Sequence, residues 1–390
     1  MHFSMVICMK KFICNLLKVS MLQLARCVGS GSHCMVSNRL ADNDFPNSAM
    51  NFSNFVILNP RMIILYTPFM TRKGLSLLQF MYMTYWSLVL INDLGRLHYF
   101  LGFEILPVDG SLFMTQSKFA HELLVDSGLT FPGNKAKGYP IPLPLNLKLL
   151  PDEGDLLQDA EYYRSMVGKL NFLTNTRPYL SFFVQVLSQF VQAPRQYHLQ
   201  ALIHLLNYVF NTTTQGIIVH GSKHLELQAF SDSDWTSYPT TRSSLTGYIV
   251  TLGGSSISWK SKKQNIISKS SGEAEYRALA QAVAELTWLV RLLTDLGVQD
   301  LSPVTLHCDN NSALHIARNP VFHERSKYID IDCHFTRDQV LEGLLHLVHL
   351  PTLEQVANIL TKVLPSPQHN YLLSKFGVLP PRPPSLRGGC

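Results

Sequence analysis

The chain has seven cysteines but no CxxC pair: Cys8, Cys14, Cys27 and Cys34 lie near the start, and Cys308, Cys333 and Cys390 lie far from them. That spacing removes the usual signs of a zinc ribbon or a thiol redox motif, so a reducing intracellular setting, cytoplasmic or nuclear, is the simplest reading. Charge of one sign is also scarce. Lys and Arg number 33 against 27 Asp and Glu, and the formal +6 is compatible with a polyanionic partner without requiring one. Residues 1–35 lack the basic, apolar and small-residue order of a secretory leader, which leaves a transit peptide open. The uncharged run LSLLQFMYMTYWSLVLI at 75–91 is short of the about 20 apolar residues a bilayer span needs, and Ser, Gln and Thr interrupt it. It reads as a buried helix or strand of a soluble domain, so no membrane contact is expected. There is no internal repeat, and 390 residues suffice for two or three domains with real cores.

From residue 93 the pattern becomes orderly. LHYFLGFEILPVDGSLFMTQ at 97–116 places two apolar stretches around Asp109-Gly110, a hairpin signal because both turn positions accept positive φ. A helix at KFAHELLVDSG stops at Gly128, and the prolines of YPIPLPLNLKLLPDEGD at 139–155 make that segment a connector. Helical stretches near 160–175 and 195–209 lead to a second hairpin-like passage ending near Ser222. The end PPRPPSLRGGC reads as a disordered tail.

The most informative residues follow Ser222. LELQAF, TGYIVTLGG and SSISWK read as an antiparallel meander, with the acids of FSDSDW where the first strand runs out. Residues 271–297 then show helical periodicity. Leu279, Ala282, Leu286, Leu289 and Leu293 share one stripe, taken as core together with Trp288. Ser270 and Glu273 have capping-box spacing, and Gly297 suits the helix end. Glu275 falls on the apolar stripe, where a carboxylate is costly unless paired, hydrogen-bonded or metal-bound. The strand VTLHCD ends in Asp309. If it runs parallel beside the first strand, Asp232 and Asp309 emerge at one edge, and the first turn of the long helix can place Glu275 between them. Like charges converging in that way turn repulsion into cation affinity.

The collinear motifs FSDSDW, SWKSKKQ, SKSSGEAEYRALA, LHCDNNSA, NPVFHERSKYIDIDCHF and VANILTK closely resemble the ribonuclease H domain of Ty/copia-type retrotransposon Pol polyproteins. DLGRLHYFLGFEI, YYRSMVGKLNFLTNTRP and the PRQYH segment resemble the downstream part of the reverse transcriptase of the same family. The resemblance covers roughly 92–378 and implies an α/β chain. Its parts would be an unassigned segment at 1–91, a reverse-transcriptase palm remnant and thumb-connection region at 92–221, a ribonuclease H-like mixed five-stranded sheet with flanking helices at 222–365, and a Pro-rich tail at 366–390.

By the same resemblance Asp232, Glu275 and Asp309 hold Mg²⁺, with Mn²⁺ as the alternative, and the implied chemistry is hydrolysis of RNA in RNA/DNA hybrids. Asp234 is a second choice to Asp232 and more simply a turn acid. Asn358 stands where the family pattern has the fourth carboxylate. Lys260, Lys262 and Lys263 with Trp259 suggest a basic, aromatic loop against the phosphate backbone, or equally a solvated connection. His323, Arg325 and Lys327 form another basic patch, and His334 reads as a packing histidine. The family's Tyr-x-Asp-Asp polymerase signature has no counterpart: IILYTPFMTRKG at 63–74 contains no acid, so polymerisation is not expected. Tyr179 and Tyr328 replace Asp and His of the pattern, which keeps open an alternative, a non-catalytic nucleic-acid-binding relic.

Overall fold

The computed structural model describes residues 99–379 except 101, 130–138, 222–223, 296–297 and 319–329, together with three strands between residues 63 and 91. Those strands, β1 (Ile63–Met70), β2 (Ser76–Met81) and β3 (Trp86–Ile91), pair antiparallel in a sheet of their own. The apolar run at 75–91 thus supplies two strands, the second of the alternatives its sequence allowed. Among the described residues no helix is long and apolar enough to cross a membrane. Gly297, His323, Arg325, Lys327, Tyr328 and the tail from residue 380 lie outside the described residues.

The next sheet begins with the short strand β4 (Tyr99–Phe100) and the hairpin of β5 (Phe103–Val108) and β6 (Ser111–Thr115). Its turn is Asp109-Gly110, with φ of 42° and 77°, the positive values that only small or Asx residues accept cheaply. Four helices follow: α1 (Ser117–Asp126), α2 (Ala160–Leu173), α3 (Ser181–Ser188) and α4 (Gln196–Asn211). The passage up to Ser222 is not a second hairpin. Gly216–Val219 forms one strand, β7, that adds to β6, because the open edge of the first hairpin is the available partner. Residues 366–379, assigned to the tail by sequence, instead give a helix at Ser366–Lys375 and a strand at Val378–Leu379 that pairs with β7.

The third sheet has five strands, part antiparallel and part parallel. β8 (Leu227–Asp234), β9 (Leu245–Leu252) and β10 (Ser255–Lys263) form the antiparallel meander. β11 (Val304–Cys308) and β12 (Leu345–His349) continue it in parallel, giving the order β10-β9-β8-β11-β12. A 25-residue helix, α5 (Ser271–Asp295), connects β10 to β11 and packs on β8 and β9. Leu279, Ala282, Leu286, Leu289 and Leu293 are all fully buried, as the stripe requires. Trp288 is not core: it is 40% exposed. Two positions beyond Leu286 it is turned about 200° around the helix, onto the outer face. The helix start is capped by Ser270, whose hydroxyl accepts from the Glu273 amide, while the Glu273 carboxylate accepts from the Lys269 amide. Two shorter helices, α6 (Asn311–Arg318) and α7 (Asp330–Leu341), flank β11 and β12. His334 on α7 is exposed rather than buried.

The two five-stranded sheets share a buried seam. α3 lies against β10, the Ser256 hydroxyl donates to the Phe376 carbonyl, and the His220 amide donates to the Ser255 hydroxyl. In that seam His369 is 1% exposed, 3.3 Å from the Tyr208 hydroxyl and edge-on to Tyr179. Burial pushes its pKa down to about 4. The unfolded chain therefore binds a proton near pH 6.5 that the native state refuses until about pH 4, so this residue makes stability fall as pH falls through that window. We expect His369→Phe to reduce the loss of urea-derived unfolding free energy across that window by up to roughly 3 kcal/mol. Equal slopes for wild type and variant would show that His369 is not held neutral.

Candidate active site

Sheet register brings the acids together. β8 and β11 run parallel with Cys308 paired to Ser231, so one further step sets Asp309 beside Asp232. Asp232 is two residues before the end of β8 and 1% exposed; Asp309 is half-buried just past β11. Glu275 comes from the first turns of α5 and is 7% exposed. That turn is fixed by Gln264, whose side-chain amide donates to the Ala274 carbonyl and to Thr246, and whose oxygen accepts from Ser268. The Trp235 indole donates to the Ser268 carbonyl and closes the same loop. Glycine at 272 lets the helix start approach α6, since a Cβ there would lie 3.1 Å from Ser312.

The three acids form one electrostatic unit. Burial first, then the charges of Asp232 and Asp309, push the Glu275 carboxyl up to about 9. Its Oε2 has no hydrogen-bond partner. Burial also raises Asp232, against the opposing pull of Lys362 and Thr361. Asp234, the last residue of β8, is raised to about 6 for the same leading reason. Donor atoms of Glu275, Asp309 and Cys308 all lie within 4.8 Å of one another. A buried, partnerless carboxylate oxygen among oxygen donors is what a hard divalent cation would satisfy, so these residues fit such an ion.

Sequence reasoning did not single out the residues that hold Asp232. The Thr361 hydroxyl donates to its Oδ2, and the Lys362 ammonium lies 3.3 Å from the carboxylate. Burial works against the Lys362 charge, but Asp232, Asp234 and Asp309 overturn it and leave the pKa raised. Both residues close the motif VANILTK, where a hydroxyl and a cation just after Asn358 were the available signal. The motif comes close because β9 carries Gly247 opposite Asp232: a Cβ there would meet Thr361 at 2.5 Å. Gln355 fixes the same turn by donating to the Ser231 carbonyl.

Asn358 sits in the 3₁₀ turn Val356–Leu360 and is 3% exposed. Its amide donates to the Thr352 carbonyl at 2.8 Å, while its Oδ1 is buried without a partner. The lysines do not form a loop. Lys260, Lys262 and Lys263 are the end of β10, so alternation puts Lys260 and Lys262 on one face and Lys263 on the other. Lys260 and Lys262 are exposed, whereas Lys263 lies 4.6 Å over the Tyr238 ring. Trp259 is partly buried and packs edge-on against Phe376.

No family model matches the chain. It is 41% identical over 288 residues to the retrovirus-related Pol polyprotein from transposon RE1 of Arabidopsis thaliana, covering 74% of this chain and 19% of that protein. It is 40% identical to the corresponding polyprotein from transposon RE2 of the same plant, over 76% of this chain and 20% of the relative. The chain thus spans about a fifth of the length of these curated relatives. Among solved structures it is similar to LC11-RNase H1 isolated from compost, with 19% identity and a TM-score of 0.27 over 35% of this chain and 92% of the other. On the sequence relatives, the chain belongs to the Ty/copia-type family of retrotransposon Pol polyproteins.

Proposed function

We propose that this chain hydrolyses the RNA strand of RNA/DNA hybrids endonucleolytically with the help of Mg²⁺, Mn²⁺ being the alternative, and that it does not polymerise. The observation that carries this reading is the buried, unpaired Glu275 Oε2 close to Asp309, with Asp232 beside Asp309 in register on the parallel pair β8 and β11 and its charge raising the Glu275 pKa. These carboxylates would hold the cation. Bound there, it would act as a Lewis acid and lower the pKa of a coordinated water. The chain's own residues supply the rest. Glu275, held near 9, gives up its proton when a cation takes that place, because the like charges of Asp232 and Asp309 are then compensated. Lys362 and Thr361 contact the Asp232 carboxylate and restrain it. The 2′-hydroxyl of the substrate, presented in a wide, shallow minor groove, is what would separate RNA from DNA. The exposed Lys260 and Lys262 on β10 would meet backbone phosphates.

A second reading, a non-catalytic nucleic-acid-binding relic, is favoured by one feature. Where the family pattern has a fourth acid the chain has Asn358, and the cation nearest Asp232 is the chain's own Lys362. Hybrid bound without cleavage in Mg²⁺ or Mn²⁺ would support this reading.

The full chain, assayed on a labelled hybrid, is expected to lose cleavage at least about a hundredfold on Asp232→Asn or Glu275→Gln with the fold retained. Unchanged cleavage in either variant would sink the assignment. A second expectation concerns Asn358. It keeps the shape of Asp without its charge, so Asn358→Asp should lower the Mg²⁺ concentration for half-maximal rate by about tenfold and narrow any preference for Mn²⁺. A metal requirement and rate untouched by this change in an active protein would place residue 358 outside the site.

A further inference from the structure

We infer that Cys308, Glu275 and Asp309 form a binding site for a thiophilic divalent cation such as Zn²⁺ or Cd²⁺. The inference goes beyond hybrid hydrolysis and stands whether or not the chain cleaves a hybrid. Its first support is geometric. A sulfur and two carboxylates, with donor atoms within 4.8 Å of one another, come from three fixed places: the last residue of β11, the residue after it, and the first turns of α5. Closing such a set onto a tetrahedral ion needs bonds of about 2.3 Å to sulfur and about 2.0–2.2 Å to oxygen, so the donors must draw together around the ion.

The second support is independent of the sulfur. Glu275 is 7% exposed, and its Oε2 accepts no hydrogen bond. An oxygen in that state lacks a positive or donating partner. Cys308 itself is fully buried and not in a disulfide, and its Sγ has only a weak contact, 3.9 Å from the Asn310 carbonyl. Soft thiolate ligands select zinc-like ions over magnesium, which prefers oxygen alone. On binding, a bond forms between Sγ and the cation, the thiol proton passes to water, and no electron is transferred. Since Glu275 and Asp309 are shared with the hydrolytic site, a thiophilic ion there excludes a hard one.

The experiment uses Cd²⁺ alone as the probe, titrated into the full chain. The ultraviolet charge-transfer absorption of the Cd²⁺–thiolate bond is read, with no substrate present. Other cysteines can add to that signal, so the difference between wild type and Cys308→Ser isolates this sulfur; a serine hydroxyl gives no such band. Cys308→Ala replaces the serine variant should that one unfold by circular dichroism. The site requires that part of the band disappear with the sulfur, and that Glu275→Gln and Asp309→Asn, which retain every thiol, weaken the Cys308-dependent part at least about tenfold. Identical spectra for wild type and the sulfur variant would overturn the inference, as would a Cys308 band whose midpoint ignores both carboxylate changes. Failure on these arms says nothing against hybrid cleavage by the unaltered chain, and a wild-type chain that does not cleave can still give the Cys308-dependent Cd²⁺ band, so the two readings fail separately.

Discussion

The constraint on which this molecule turns is the mutual repulsion of carboxylates that folding removes from water. Asp232 and Glu275 are almost fully buried, and Asp309 is half-buried beside them. In the absence of a cation both burial and like charge favour protonation, which is why Glu275 is driven to about 9. Such an arrangement opposes folding, so neighbouring structure must hold it in place. The parallel register of β8 and β11, the Gln264 clasp on Ala274 and the close approach permitted by Gly247 all serve that end.

Compensation is unequal among the acids. Asp232 has a hydroxyl and an ammonium from the chain itself, whereas Glu275 has an oxygen with no partner. The protein therefore neutralises one end of the cluster and leaves the other open. Asn358 fits that asymmetry. Near Lys362 the local field has already gained a positive charge, and the neutral amide at 358 reduces the negative charge further. A cation arriving from solvent thus meets its strongest uncompensated attraction on the side of Glu275 and Asp309.

Much of this was legible in the sequence, for definable reasons. Asp109-Gly110 announces a hairpin because few residues accept positive φ at consecutive positions, and the Leu stripe of α5 announces a buried face because its period matches the helix. Glu275 stood out as the one acid on that stripe without a local task. What stayed hidden depends on long-range placement. Trp288, grouped with the Leu stripe as core, lies on the other side of the helix, where its angular position exposes it. The lysines looked like a loop because they are polar, yet pairing to β9 extends β10 through Lys263. Gly216–Val219 could not reveal that its partners are β6, a hundred residues earlier in the chain, and Val378–Leu379, at its far end. Lys362 was visible only as one letter of a motif, since its contact with Asp232 spans 130 residues.

The same long-range placement bears on where one part of the chain ends and another begins. A boundary near residue 222 is attractive in sequence because the strand meander starts there. In the structure, residues on both sides of it are bound into one core: the His220 amide donates to the Ser255 hydroxyl, β13 (Val378–Leu379) pairs with β7, and His369 packs on Tyr179 and Tyr208. Arg177, fully buried beside Tyr179, donates to the Thr213 carbonyl while its Nε and Nη1 find no acceptor. Tyr179 occupies the position at which the family pattern has an acid, so the departure removes the carboxylate nearest in sequence to that guanidinium. Burial lowers the Arg177 pKa against the opposing influence of Tyr179, Tyr208 and Glu104, so this guanidinium depends on the groups packed around it. Separating the chain at 222 would strip away the α3 face against β10 and leave His369 without Tyr179 and Tyr208. The acids are therefore supported by a core that extends well beyond the sheet on which they stand.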